Sequence, residues 1–160
     1  MESLSIRPAT RSDIPLIRSL IGELAEYEKL GHELVASEAD LASALFGDPV
    51  IAQVLIAEIG ATPAGFALFF TSFSTFLGKP GIYLEDLFVR ANYRGQGVGR
   101  ALLRQLAGLA VERGYGRLEW SVLDWNAQAI GFYESLSARA QSEWTVYRLS
   151  GPALERLARS

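Results

Sequence analysis

The chain has 160 residues, of which 49% are hydrophobic and 21% charged, and this composition predicts a single folded domain over residues 1–160 rather than a disordered chain. It has no cysteine, which excludes a disulfide framework, a thiolate metal site, a cysteine nucleophile and acyl transfer through an enzyme thioester. The net charge of -3 argues against nucleic acid as a partner, because nucleic-acid-binding proteins usually present a basic face.

Hydrophobic periodicity predicts both strands and helices along the chain. Alternating apolar residues indicate strands, and apolar residues repeating every three or four positions indicate helices. Pro15 fixes the start of the first helix, because proline is tolerated only near the first turn, and Ser37–Asp40 has the spacing of a capping box. The predicted elements are, in order, a strand at Leu4–Pro8, a helix from Thr10–Ser12 to Tyr27, a helix from Ser37 to Phe46, strands at Gln53–Ile59, Gly65–Thr71 and Ile82–Val89, a helix at Val98–Glu112, a strand at Arg117–Val122, a helix at Ala127–Leu136, a strand at Thr145–Leu149 and a short terminal helix from Pro152.

The connections predict how the strands pair. The link Ala61–Ala64 is so short that the two strands it joins are expected to be antiparallel. The helix Val98–Glu112 separates two further strands, which is typical of a parallel crossover. The sequence therefore predicts an α/β fold with a mixed central sheet, antiparallel in its amino-terminal strands, with a parallel βαβ crossover, and flanked by helices.

The start of the chain and its apolar stretches bear on its location. Met1–Ser3 lacks the basic and apolar regions of a secretory signal. The longest apolar stretch, Ala64–Phe70, is too short to span a bilayer. These features, with the absence of cysteine, predict a cytoplasmic protein with no membrane partner.

Acidic residues are concentrated in one part of the chain. Six acids and one base, Lys29, fall between Glu23 and Asp40. One interpretation is the solvated face of a helix followed by a loop. The other is an acidic rim that attracts a cationic substrate.

Three glycines, Gly95, Gly97 and Gly99, stand between a predicted strand and a long helix. Glycine suits a place where the backbone bends or approaches another group closely. The free N–H groups and the dipole of a helix start favour a phosphate, and Arg94 and Arg100 add positive charge beside it. The pattern is neither a P-loop nor Gly-x-Gly-x-x-Gly, and an ordinary tight strand-to-helix turn would also explain it.

Two segments in order resemble the GNAT superfamily of N-acetyltransferases. Arg94-x-x-Gly97-x-Gly99 looks like its acetyl-CoA pyrophosphate-binding motif, and Asp124–Leu136 resembles the segment that follows it. The resemblance implies the GNAT fold, acetyl-CoA as co-substrate, no metal, and transfer of an acetyl group to an amine. The chain is also similar to the spermidine/spermine N-acetyltransferase group in Tyr27-Glu28, Tyr83–Asp86 and Glu143-Trp144, and to the thialysine N-acetyltransferase branch in Tyr93–Gly97 and Val122–Asn126.

The resemblance assigns residues to acetyl-CoA. The backbone of Leu87, Phe88 and Val89 would pair with the pantetheine arm, although Leu87 and Val89 can also be core residues of a buried strand. Asn126 would flank the cofactor, and an asparagine there is also an ordinary helix cap. The other residues implied to bind acetyl-CoA are Arg94, Gly95, Gln96, Gly97, Val98, Gly99, Arg100, Ala129 and Phe132.

The same resemblance implies two catalytic residues. Tyr133 would be the general acid, because a phenol with a pKa near ~10 can protonate or hydrogen-bond a leaving thiolate whose reference pKa is about 8.5. The alternative is that Tyr133 is a core aromatic. Glu85 would be the base, acting through water on an amine whose pKa is near ~10.4, or it would only bind the amine.

The implied substrate contacts are Tyr27, Glu28, Glu85, Asp86 and Trp144. Glu85 and Asp86 are expected on opposite faces, since side chains alternate along a strand. At Ser74 and Phe76 the polyamine-specialised members would be expected to carry an acid and a tryptophan, and without that acid a long polycation is a weaker interpretation.

The predicted reaction is direct attack of a primary amine on acetyl-CoA in a ternary complex. A lysine-like diamino acid is favoured slightly over a diamine or polyamine as the acceptor. The alternatives are acetylation of a protein or peptide amine or of an antibiotic, and a non-catalytic module that binds acyl-CoA. The resemblance also implies a homodimer.

Overall fold

A computed structural model describes residues 2–160 of the chain. The chain divides into two compact units, one ending at Ser121 and one from Val122 to Ser160. The first unit contains a five-stranded sheet whose strands lie in chain order. Its strands are β1 (Leu4–Pro8), β2 (Gln53–Ile59), β3 (Thr62–Ser74), β4 (Lys79–Val89) and β5 (Leu118–Trp120).

Local sequence signals set the helix starts. Pro15 lies in the first turn of the first helix. Ser37 and Asp40 form the predicted capping box, in which Ser37 Oγ accepts from Asp40 N at 3.1 Å and Asp40 Oδ2 accepts from Ser37 N at 2.8 Å. No helix of residues 2–160 is long and apolar enough to cross a membrane. The helices are α1 (Ile14–Tyr27), α2 (Glu38–Phe46), α3 (Val98–Glu112), α4 (Ala127–Ser135) and α5 (Gly151–Arg159).

Strand pairing confirms the predicted α/β fold with a mixed sheet. The first four strands pair antiparallel in succession. β5 pairs with β4 in parallel, with Ile82–Leu84 opposite Leu118–Trp120. The strands β3 and β4 are longer than predicted, because they continue together into a hairpin in which Ser74 pairs with Lys79.

The core of the first unit is built from the apolar positions that the periodicity selects. Ile17 and Leu20 of α1 are fully buried and share one cluster with Ile56 and Phe66 of the sheet. Buried side chains of α3 include Val98, Leu102 and Leu106. Burying each large apolar side chain contributes about 1.5–3 kcal/mol, so this core fixes α1 and α3 on the strands that carry the site.

An ion pair holds the end of β4 to α1. Arg90 follows the last residue of β4, and its guanidinium contacts the carboxylate of Glu23 at 2.8 Å. The same guanidinium donates to the carbonyl oxygen of Pro63 at 3.2 Å. The strand end that leads into the glycine turn is therefore anchored by a charge-assisted contact.

The predicted strand at Thr145–Leu149 is wrong. This segment has no strand structure, and the side chains of Val146 and Tyr147 are 84% and 91% exposed. An alternating pattern favours an extended backbone, but a strand also needs a hydrogen-bonded neighbour. Among residues 2–160, no described strand pairs with this segment.

Candidate active site

The turn between β4 and α3 requires glycine at two of its three glycine positions. Gly95 and Gly97 have φ of 76° and 83°, in the left-handed region that disfavours a side chain. No atom lies within 4 Å of a Cβ built on either residue, so the turn is open on this side. Gly99 differs, because its φ is not positive and a Cβ there would lie 3.6 Å from Val89 Cγ2. The left-handed backbone therefore explains why residues 95 and 97 are glycine, but it does not explain the glycine at residue 99.

The start of α3 has the properties that a diphosphate needs. The first N–H groups of an α-helix have no partner within the helix, and no side chain of residues 2–160 caps α3 at Gly97. The 15-residue helix directs the positive end of its dipole to this turn. Arg100 is exposed in its first turn. Open space, free donors and positive charge at one place fit the diphosphate of acetyl-CoA.

The last residues of β4 have a strand neighbour on one side only. β5 pairs with Ile82–Leu84 and goes no further, whereas Asp86–Val89 pair with β3 on the other side. Within this sheet, the edge of β4 from Glu85 to Val89 is therefore open. An open strand edge offers unpaired amides and carbonyls to an extended ligand such as the pantetheine arm.

A β-bulge interrupts β4 at the predicted base. Leu68 pairs with Asp86 and the next residue, Phe69, pairs with Leu84, which leaves Glu85 without a partner on β3. A bulge inserts one residue and re-aims the side chains around it. Glu85 and Asp86 were expected on opposite faces because side chains alternate along a regular strand. The bulge breaks this alternation at Glu85.

Three acidic residues influence one another at this bulge. Burial, and then the charges of Glu85 and Glu28, raise the pKa of Asp86 to about 7. Burial, and then the charge of Glu85, also raises the pKa of Glu28. Glu28, which follows α1, is thus electrostatically coupled to β4. A cation bound here would relieve the repulsion among these carboxylates.

Tyr27, the other substrate residue predicted on α1, contacts the turn through Arg94. The Arg94 guanidinium carbon lies 4.7 Å from the centroid of the Tyr27 ring and 5.7 Å from that of Phe88. Arg94 Nε donates to the carbonyl oxygen of Val89 at 3.0 Å. The structure thus brings Tyr27, Phe88 and Arg94 together.

The predicted residues from Asn126 onward belong to the second unit. Asn126 caps α4, since its side-chain oxygen accepts from Ala129 N at 3.2 Å, so the cap interpretation of Asn126 is confirmed. The ring centroids of Phe132 and Tyr133 are 5.6 Å apart, and both residues are half-buried. Trp144 is 75% exposed. The roles of these residues in catalysis and binding stay predictions.

Two features of the site could not be found from the sequence patterns. The bulge at Glu85 leaves no signal in a strand whose residues otherwise fit an alternating pattern. The stacking of Arg94 on Tyr27 joins residues far apart in the chain, and its only local sign is an arginine next to a glycine turn.

No set of three or more carboxylate or histidine side chains suited to a metal occurs among residues 2–160.

Comparison with known proteins gives the family. The model of the acetyltransferase (GNAT) family matches residues 21–137. The chain belongs to the GNAT family. This GNAT protein is 38% identical to a thialysine N-epsilon-acetyltransferase of Bos taurus, over 99% of each chain. It is 37% identical to an L-ornithine N5-acetyltransferase of Arabidopsis thaliana, over 94% of this chain and 86% of the relative.

A solved structure agrees with this assignment. The GNAT protein superposes on an integron cassette protein of V. cholerae with a TM-score of 0.83, 30% identity and full coverage of both chains. The predicted fold and the predicted enzyme class are therefore confirmed, and the protein is an acetyltransferase. GNAT acetyltransferases use acetyl-CoA, so the fit of the glycine turn to a diphosphate concerns this co-substrate.

Proposed function

We propose that the protein acetylates the side-chain amine of a small cationic diamino acid, with acetyl-CoA as the donor. The observation that carries this proposal is the coupling of Glu28, Glu85 and Asp86 at the bulge in β4. Relatives named for thialysine and L-ornithine acetylation support the substrate class. A diamine or polyamine is the second candidate, and the uncharged residues Ser74 and Phe76 disfavour a long polycation.

Electrostatics at the bulge suit an amine better than an anion or a neutral acceptor. Carboxylates with raised pKa values lie where burial disfavours their charge. An ammonium group entering this place restores the favourable charged state of the acids and is itself held by them. The three acids therefore select a cationic substrate and orient its amine toward the open edge of β4.

Glu85 is the residue proposed to remove the amine proton. A primary amine with a pKa near ~10.4 is almost fully protonated at pH 7, and releasing its proton costs roughly 4.6 kcal/mol. Glu85 is exposed at the bulge, so water can connect its carboxylate to the amine. Asp86 is more buried and holds the cationic form before proton transfer. Glu85 acting only as a binding group is the alternative.

The residues that hold acetyl-CoA follow from the two open features of the first unit. The amides of the turn from Gly95 to Arg100 are proposed to take its diphosphate, and the edge Leu87–Val89 its pantetheine arm. When bound, acetyl-CoA supplies an activated thioester carbonyl. A backbone amide near Leu87 is proposed to stabilise negative charge on that oxygen.

Tyr133 is proposed to act on the leaving group. Its hydroxyl donates a proton or a hydrogen bond to the departing sulfur, a role that suits a phenol, whose reference pKa is near ~10. Because the chain has no cysteine, we propose direct transfer in a ternary complex, with no acyl-enzyme thioester.

A panel of amines tests the proposed function. The purified protein is incubated with acetyl-CoA and thialysine, L-ornithine, lysine, putrescine, spermidine, a lysine peptide or an aminoglycoside, and released CoA thiol is measured. We expect the highest kcat/KM with a diamino acid. A preference for the peptide or the antibiotic would replace the proposed substrate, and CoA binding without acetylation of any amine would favour a non-catalytic module.

We also propose that the protein is a homodimer. In the second unit, large apolar side chains are exposed over a short stretch that includes Trp144 at 75%, Tyr147 at 91% and Leu157 at 63%. Exposed apolar surface of this kind favours association. Light scattering coupled to size exclusion tests the proposal, and a monomer mass at micromolar concentration would contradict it.

A further inference from the structure

Arg94 is held by residues from two other elements. Its Nε donates to the carbonyl oxygen of Val89 at 3.0 Å. Its guanidinium carbon lies within cation–π distance of two rings, 4.7 Å from Tyr27 and 5.7 Å from Phe88. The two ring centroids are 6.4 Å apart, so one cation contacts both. A planar guanidinium makes these contacts together, whereas the compact ammonium of lysine cannot.

These contacts connect the two halves of the proposed site. Arg94 directly precedes Gly95, the first residue of the glycine turn. Tyr27 is the last residue of α1 and directly precedes Glu28. The position of the turn is therefore transmitted through one side chain to the residues around the amine.

We propose that Arg94 is a positioning residue for the amine substrate, which holds the ring of Tyr27 through its own contacts and independently of a bound diphosphate. This inference rests on the function proposed above. It is a second role beside the one that the family resemblance implies for Arg94, which is a cation on the pyrophosphate. Arg100, exposed in the first turn of α3, is a second cation beside the turn.

Two acetyl donors separate these roles. Acetyl-CoA carries the diphosphate, and acetylpantetheine lacks it. The variants are Arg94→Lys, which keeps the charge and loses the planar stacking, Tyr27→Leu, which removes the ring, and their double mutant. Arg100→Gln is the matched control for loss of a phosphate-binding cation. Amine KM and kcat are measured for each variant with each donor.

For a positioning residue, Arg94→Lys raises the amine KM about three- to tenfold with both donors, the size expected of a cation–π contact. The double mutant then loses less than the sum of the two single changes, because both changes break the contact between positions 27 and 94. Arg100→Gln weakens use of acetyl-CoA and leaves acetylpantetheine unaffected. An Arg94→Lys effect that disappears with acetylpantetheine, or that adds to that of Tyr27→Leu, overturns the proposal.

A failure of the proposed function is recognised separately. If the wild-type protein acetylates no amine, the wild type and the four variants are each titrated with CoA by calorimetry. Coupling between positions 27 and 94 appears there as non-additive changes in the CoA Kd. Additive changes overturn the role of Arg94 whatever the substrate is.

Discussion

The pKa of Glu28 at the end of α1 is raised by burial and, to a smaller extent, by the charge of Glu85 on β4. These carboxylates come from different elements, and the packing of α1 against the sheet brings their fields together. Both also act on Asp86. An arrangement that costs stability in this way is typical of a functional site rather than of a structural one.

Replacing Asp86 should stabilise the protein at high pH. The pKa of Asp86 is raised to about 7 in the folded state, so the folded protein binds this proton more tightly than the unfolded chain. The free energy of unfolding then falls as the pH rises from about 4 through 7. We expect Asp86→Asn to add ~1–3 kcal/mol at pH 8 and little at pH 4, measured by denaturant unfolding.

Asp40→Asn is a control of opposite sign for this measurement. Hydrogen bonds from Ser37 lower the pKa of Asp40, so Asp40→Asn should destabilise the protein at pH 8 and have little effect below the pKa of the folded state. An Asp86→Asn variant with the same stability gain at both pH values would contradict the assignment of a buried acid to Asp86.

Binding of a cation should strengthen as Asp86 ionises. Between pH 6 and 8 the site gains negative charge, so a quaternary ammonium analogue of the amine, whose own charge does not titrate, should inhibit better at pH 8. We expect about a fivefold change in Ki, the equivalent of ~1 kcal/mol for a partly solvated charge pair. In Asp86→Asn the dependence should disappear, while the KM for acetyl-CoA stays unchanged.

Glu85→Gln distinguishes a base from a binding group. Loss of a general base should lower kcat about a hundredfold and change the amine KM little, because the amide can still contact the substrate. The measurement is steady-state kinetics over pH 6 to 10, where higher pH should partly restore the rate by deprotonating the amine. A raised amine KM with an unchanged kcat would instead make Glu85 a binding residue.

Tyr133→Phe should lower kcat by about two orders of magnitude and leave the acetyl-CoA Kd nearly unchanged, because only the hydroxyl is lost. Turnover is followed by thiol release and binding by calorimetry. Tyr115→Phe is the control, because it removes a hydroxyl from the link between α3 and β5, where no catalytic role is proposed. This variant should keep full activity. Equal turnover in the two variants would remove the acid role of Tyr133.

Gly97→Ala should affect both stability and cofactor binding. Its φ of 83° costs roughly 1–2 kcal/mol for a residue with a Cβ, and the new methyl group points into the open space proposed for the diphosphate. Gly108→Ala, within α3 and with no atom within 4 Å of its Cβ, should add ~0.5–1 kcal/mol and leave CoA binding unchanged. Unaltered CoA affinity in Gly97→Ala would place the diphosphate elsewhere.

Features that depend on neighbouring residues were determined by the sequence itself. The periodicity of α1 and α3, the capping box at Ser37 and the glycine turn all use contacts within a few positions, so each was predicted close to its observed place. The order of antiparallel and parallel strands also followed, because short links and a helical crossover leave few ways to connect them.

Features that need a distant partner were decided only by the tertiary structure. The bulge at Glu85 exists because β3 and β4 are out of step by one residue, and the stacking of Arg94 on Tyr27 exists because α1 packs beside the turn. The pKa of Asp86 depends on burial that no local pattern encodes. Thr145–Leu149 has the pattern of a strand but forms no strand in the structure. A strand needs hydrogen bonds that only a neighbouring strand can supply, and the pattern does not encode that neighbour.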